Sequence, residues 1–187
     1  DYKWIMEPRA NSIAVYSENG TINNSSDFEG KTLSPSTNKI PGSRLNCLVE
    51  DLDGEIWIGT DEGLAVFYNP SNVFDEDIEA ERIYIQQDGQ TQILLETEFI
   101  SVIEVDGANR KWIGTQNSGV FLMNEDGTEE IEHFTTENSP LFSNNIFDIV
   151  IDPKTGEIFF GTEKGVLSYK GTATDPDTDF NNVFIYP

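Results

Sequence analysis

Asp53-Gly-Glu-Ile-Trp-Ile-Gly-Thr-Asp-Glu-Gly-Leu64 decides the reading of this chain. A turn at Asp53-Gly54 leads into a short apolar run with an aromatic centre (Ile56, Trp57, Ile58). A Gly-Thr pair, an acidic turn and a second apolar run from Leu64 follow. Taken alone the stretch is a β-hairpin. It recurs as Trp112-Ile-Gly-Thr115 and as Phe159-Phe-Gly-Thr162, with a worn copy at Trp4-Ile-Met6. The aromatics stand 53, 55 and 47 residues apart, near the period of blade-type repeats.

The copies align beyond the hairpin. Each good copy is preceded by an apolar pair three residues apart and an Asp three further on. These sets are Leu45, Leu48, Asp51; Ile100, Ile103, Asp106; and Ile146, Ile149, Asp152. A second Gly and an apolar residue follow each Gly-Thr pair (Gly63-Leu64, Gly119-Val120, Gly165-Val166). Each unit therefore supplies an inner strand, an aromatic strand, a third strand and a more variable outer strand. Four-stranded antiparallel units of this period stack radially. No helical period is present. The expected fold is all-β: a β-propeller of four-stranded antiparallel blades, about three and a half of them.

The expected divisions are a partial blade and loop over 1–43, blades over 44–98 and 99–142, an incomplete blade over 143–171, and an acidic linker over 172–187. Within these, Lys3–Met6 and Ser12–Tyr16 predict strands, Glu18-Asn-Gly-Thr21 a hairpin turn, and 23–42 a long exposed loop or a weak edge strand. The outer region of the second unit runs long, from Val73 to Glu98, with a hairpin at Ile83–Thr91. Val183–Tyr186 reads as the start of a further strand, so both ends look like interruptions of a longer pattern.

Repetition assigns most of the motif to architecture. Trp57, Trp112 and Phe159 are expected to wedge between blades, and Gly59, Gly114 and Gly161 to leave room for close approach. Thr60, Thr115 and Thr162 belong to the same repeated set. Asp51, Asp106 and Asp152 precede turns, where a carboxylate caps backbone N–H groups. Ligand contacts are then expected where the copies differ, on loops of one common face: Asp61 and Glu62; Gln116, Asn117 and Ser118; Glu163 and Lys164.

Bulk composition sets the limits. Eleven Lys and Arg stand against 34 Asp and Glu, a formal charge of −23, which repels nucleic-acid phosphates and anionic membrane surfaces. No apolar run approaches the roughly 20 residues that span a bilayer, so no direct membrane insertion is expected. The single cysteine, Cys47, lies in an apolar run and reads as structural. His133, the single histidine, adjoins Phe134 and reads as a strand residue; no Gly-x-Ser-x-Gly elbow, zinc ligand set or phosphate loop accompanies it. Arg110-Lys111 is one of few basic pairs, able to meet an anionic partner or simply to offset nearby acids. No cofactor is expected. Asp175, Asp177 and Asp179 alternate as calcium ligands do, but Phe180 stands where a calcium loop needs Gly; a solvated linker is the preferred reading and calcium the alternative.

The repeat over 53–64 resembles the two-component regulator propeller repeat of Bacteroidetes. Proteins of that kind include periplasmic sensors of hybrid two-component systems, whose propellers bind glycans or pass a signal inward. A narrower resemblance covers most of 79–187. The run Val105-Asp-Gly-Ala-Asn-Arg-Lys-Trp-Ile-Gly-Thr115, continuing through His133-Phe-Thr-Thr-Glu-Asn-Ser-Pro140 and Asp152-Pro-Lys-Thr-Gly156, is similar to the propeller of PorZ-type proteins of the type IX secretion system. That resemblance implies a non-enzymatic module at the cell surface of a Gram-negative bacterium. Such a module docks secretion-system surface proteins or presents anionic lipopolysaccharide or glycan to a sortase-like protease. A C-terminal sorting-like sandwich would begin near Val183–Pro187. The alternative is a periplasmic glycan-sensing propeller. In either case the expected neighbours of these blades are the remaining blades of the same propeller or a second copy. No family-wide catalytic motif carries over.

Overall fold

The computed structural model describes residues 2–17, 29–87 and 89–174. The turn expected at Glu18–Thr21, the aspartates 175, 177 and 179, and the terminal apolar run lie outside them. The described chain is nearly all antiparallel β-structure. Sheet 1 holds β1 (Tyr2–Glu7), β2 (Ser12–Ser17) and β3 (Glu29–Leu33). Sheet 2 holds β4 (Leu45–Glu50), β5 (Ile56–Thr60) and β6 (Gly63–Phe67). A separate hairpin joins β7 (Tyr84–Gln87) to β8 (Gln90–Ile93). Sheet 3 runs β9 (Ile100–Val105), β10 (Lys111–Thr115), β11 (Val120–Met123) and β12 (Glu130–Phe134). Sheet 4 holds β13 (Ile146–Ile151), β14 (Glu157–Thr162) and β15 (Gly165–Lys170).

The alternation of side chains along the aromatic strand explains how the sheets stack, because successive residues point to opposite faces. In β5, Ile56 and Ile58 join a core shared with Ile13, Val15 and Leu33 of sheet 1, while Trp57 joins one shared with Ile103, Ile113 and Phe121 of sheet 3. In β10, Ile113 packs back towards sheet 2 and Trp112 forward into a core with Ile149, Ile158 and Phe160 of sheet 4. Trp57 and Trp112 are completely buried. Each removes about 200 Å² from water, worth on the order of 5 kcal/mol. The third aromatic departs from expectation. Ile158 and Phe160 fill the core behind β14, but Phe159 faces forward and is 38% exposed, because no described sheet covers it.

A repeated irregularity brings the inner strands together. Pairing shifts by one residue between Leu45 and Cys47, between Ile100 and Val102, and between Ile146 and Asp148. These bulges sit opposite the glycine of each Gly-Thr pair. A Cβ at Gly59 would lie 2.4 Å from Cys47 Sγ of its own sheet and 2.6 Å from Ile100 Cγ2 of the next, and one at Gly114 2.6 Å from Val102 Cγ1 and 2.8 Å from Ile146 Cγ2. At Gly161 the nearest atom would be 3.5 Å away and within the same sheet. Glycine is thus required where a following inner strand approaches. Asn46, the residue bulged out of β4, donates 2.8 Å to the Ile100 carbonyl of that next strand.

Two stretches differ from the sequence expectation. In 23–42 the edge-strand reading holds at residues 29–33, but the following segment contains a helical turn (Pro35–Asn38) whose Asn38 is buried and donates to the Ile78 carbonyl. The long outer region of sheet 2 supplies only a bridge, Val66 with Glu81, before the β7–β8 hairpin begins. That hairpin leaves the sheet rather than extending it.

Candidate functional site

All three good Gly-Thr copies end in a turn held by the Thr hydroxyl, one residue longer in the second copy. Thr60 Oγ1 donates 2.8 Å to the Gly63 carbonyl and accepts from Glu62 N–H. Thr115 does the same with the Gly119 carbonyl and Ser118 N–H, and Thr162 with the Gly165 carbonyl and Lys164 N–H. The positive φ of Gly63, Gly119 and Gly165 closes each turn. Thr60, Thr115 and Thr162 each stand opposite the first residue of their inner strand, and the inner strands pack side by side. The three turns therefore occupy one face.

The turn residues divide into two groups. Asp61, Ser118 and Glu163 are tied to the segment that enters the inner strand of their own sheet. Asp61 accepts from Ser43 N–H at 2.8 Å, Ser43 Oγ at 2.7 Å and Arg44 N–H at 2.9 Å. Ser143 Oγ donates 2.9 Å to Glu163. In sheet 3 the partners exchange roles: the turn carries the hydroxyl, and Ser118 Oγ donates 2.7 Å to Glu98. Burial would raise the Asp61 carboxyl, and the three hydrogen bonds overcome it and hold the group below its ordinary value. Glu62, Gln116, Asn117, Glu163 and Lys164 are exposed. With Glu163 engaged, Glu62, Gln116, Asn117 and Lys164 are the side chains this face offers.

The opposite ends of the sheets are held by the repeated aspartates. Asp51 accepts from Asp53 N–H, Glu55 N–H and the Trp57 indole. Asp106 caps Ala108 and Arg110 N–H and accepts from the Trp112 indole. Asp152 accepts from Lys154 and Thr155 N–H. The basic pair is absorbed here. Arg110 binds Asp106 at 2.7 Å, and Lys111 is buried against Asp51 at 2.9 Å with its ammonium 4.7 Å from the Trp57 ring centre. Of the two readings of Arg110-Lys111, the structure carries the second: both charges offset nearby acids. Lys111 reads as surface charge in sequence, and its partner lies in another repeat.

His133 stacks on Phe121 with ring centres 3.8 Å apart, and its Nε2 donates 2.6 Å to the Ser118 carbonyl. It is a strand residue with a structural bond. Burial pushes the Cys47 thiol up to about 12, so it carries no thiolate at neutral pH. Among the described residues no group of three or more His, Cys, Asp or Glu is arranged to hold a metal. No helix among them is long and apolar enough to cross a membrane.

One further concavity was not foreseen. A groove of about 1140 Å³ lies between the β7–β8 hairpin and the outer strands of sheet 3. Its only trace in sequence is the amide-rich hairpin itself, with Gln86, Gln90 and Gln92.

Sheets of this kind, stacked through an aromatic second strand, define a β-propeller architecture. The fold is shared by PorZ, a surface component of the type IX secretion system of Porphyromonas gingivalis: the TM-score is 0.74 at 23% identity, covering 91% of this chain and 26% of that one. It is also shared by the extracellular domain of a hybrid two-component system of B. thetaiotaomicron, with a TM-score of 0.60 at 21% identity, covering 98% of this chain and 22% of that one. These are the two kinds of protein that the repeat resembles. The chain spans about a quarter of the length of either structure. No family model and no curated protein matches it.

Proposed function

We propose that the chain is a non-enzymatic interaction segment of an extracellular β-propeller protein of the PorZ-like kind, contributing about three and a half blades, of which only sheet 3 has the expected four strands among the described residues. The observation that carries this reading is the superposition on PorZ over 91% of the chain. The exposed forward face of sheet 4, with Val150, Phe159 and Val166, then receives the next blade of the same propeller or the equivalent surface of a second copy. Glu62, Gln116, Asn117 and Lys164 form the variable face towards a docked surface protein. Presentation of anionic lipopolysaccharide or glycan is the other use of that face, where Lys164 offers an exposed cation. The second reading, a periplasmic sensor propeller, is supported by the likeness over 98% of the chain to a sensor's extracellular domain.

Cross-linking on intact cells, followed by mass spectrometry, separates the two. Cross-links from Lys164 to outer-membrane secretion components support the first. Cross-links confined to a second sensor subunit support the second and overturn the first. Turnover of any glycan by the purified full protein overturns the non-enzymatic reading.

A further inference from the structure

Beyond β15 the chain folds back on the sheets it has just built. Gly171 N–H donates 3.0 Å to the Gly156 carbonyl, in the turn between β13 and β14. Thr172 Oγ1 accepts from Arg110 Nη1 of sheet 3 at 3.2 Å. Ala173 and Thr174 lie over Gly156: a Cβ there would stand 2.4 Å from the Ala173 carbonyl oxygen and 3.3 Å from Thr174 Cγ2. Gly156 is thereby buried, while its neighbours Lys154 and Thr155 are exposed. Residues 171–174 form a strap that leads away from the outer edge of β15, across the sheet ends held by Asp152 and Asp106. Arg110 is fitted to receive it: Nε and Nη2 hold Asp106, and Nη1 bonds the strap.

We propose that this end of sheets 3 and 4 is the docking surface for the next stretch of the chain itself, the acidic residues 175–179, with Arg110 as the anchor and Lys154 and Lys170 as counter-charges. The place where the strap ends selects that occupant. Asp175 follows Thr174 directly, and Thr174 lies on Gly156, two residues from Lys154. Lys170 Nζ donates to the Thr155 carbonyl, which brings a second ammonium to the same turn. Neither lysine forms an ion pair among the described residues, although 34 acids stand against 11 cations in the chain. Asp175, Asp177 and Asp179 supply three carboxylates, and no Lys or Arg lies beyond Lys170. In a chain of charge −23 most of the surface repels such a segment, and two unmatched ammonium groups at the end of the strap hold it. The chain beyond it is then carried on the sheet ends opposite the Gly-Thr turns, which leaves Glu62, Gln116, Asn117 and Lys164 uncovered. The inference does not depend on which extracellular role the propeller serves.

The test is double electron–electron resonance on the full protein chain, with one spin label at Thr178→Cys and the other at Ala108→Cys, in the turn before Arg110 where Ala108 is exposed. A second pair joins Thr178→Cys to Glu62→Cys on the Gly-Thr turn face. Cys47 stays unlabelled because its thiol is buried and protonated. The expected distance from Thr178 to Ala108 is single, narrow and shorter than that to Glu62. Its distribution broadens at least about twofold when Lys154→Glu and Lys170→Glu are combined, and in 1 M NaCl, where screening acts within about 3 Å. Both lysines are exposed, so this variant is expected to melt at the wild-type temperature. Thr172→Val, which removes only the bond from Arg110, broadens the distribution as well. A distribution already as broad in the wild type overturns the proposal. So does one that charge reversal, salt and Thr172→Val leave unchanged, or a shorter distance to Glu62 than to Ala108. None of these outcomes bears on the cross-linking that tests the surface-protein role.

Discussion

Lys111 Nζ lies 2.9 Å from Asp51 Oδ2, and both side chains are fully excluded from water although they belong to different sheets. The ammonium also donates to the carbonyls of Asn109 and Glu125 and faces the Trp57 ring. Every charge and donor in this contact is matched, which is the condition for a buried pair to persist. Removing one partner strands the other. Lys111→Met or Asp51→Asn is expected to lose about 3–5 kcal/mol. The double variant should fall short of the summed losses by more than about 1 kcal/mol. Urea unfolding of the four proteins gives that coupling directly, and additivity would show the pair to be independent.

The acid response of the fold carries opposing signs. Burial would raise the Asp51 carboxyl, but bonds from Lys111, Glu55 N–H and the Trp57 indole outweigh it and hold it below 3.8. Its stabilisation is therefore complete above the unfolded value and is lost as pH falls through the lower, folded one. Glu104 is the reverse. Burial, reinforced by the charge of Asp148, lifts it above 4.5. Its ionisation costs stability as pH rises through the folded value. Glu104→Gln is expected to raise stability at neutral pH, with the gain vanishing at about pH 3. Paired urea titrations at the two pH values check it; a gain that persists in acid would contradict the assignment.

The repeated motif made the fold legible in sequence, because three copies of an apolar-aromatic-Gly-Thr run admit few arrangements. Side-chain burial was less legible. Lys111 follows Arg110 and reads as solvated, and its burial depends on a carboxylate one repeat earlier. The Ser-to-carboxylate ties escape a single-sequence reading for a related reason: Ser43–Asp61 and Ser143–Glu163 place the acid in the turn, whereas Glu98–Ser118 reverses it. Overlaying the copies therefore shows variation where the geometry is constant. Phe159 matches Trp57 in register, but its exposure follows from what lies beyond sheet 4, which local sequence does not encode. The groove depends on an insertion whose path no periodicity specifies.

The three glycines of the Gly-Thr pairs are expected to respond unequally. A Cβ at Gly59 or Gly114 meets its own inner strand at 2.4 and 2.6 Å and the next one at 2.6 and 2.8 Å, so Gly59→Ala and Gly114→Ala should each cost about 1–3 kcal/mol by overpacking. Gly161→Ala, with 3.5 Å to its nearest neighbour, should change the stability of residues 1–187 by less than about 0.5 kcal/mol. Equal losses at all three would refute the role of inter-sheet approach. Denaturant midpoints at constant slope are the readout.

Adjacent turn residues should also separate. Asp61 holds three hydrogen bonds and Glu62 is exposed. Asp61→Ala is expected to cost about 0.5–1.5 kcal/mol, the net worth of hydrogen bonds whose Ser43 and Arg44 donors water can reach, and Glu62→Ala less than about 0.5 kcal/mol. Thermal melts of the two variants distinguish a structural acid from one available to a ligand. A comparable shift in both would place Glu62 in the scaffold.

The forward face of sheet 4 bears most directly on the proposed propeller. Val166 is 67% and Val150 54% exposed there. Cys47 is kept protonated, so a thiol introduced at Val166→Cys is the one that reacts. The measurement is the rate of thiol labelling at that position in residues 1–187 and in the longer protein. Rapid labelling of the first and strong protection in the second is expected if a further blade covers this face. Equal, rapid labelling in both would contradict it.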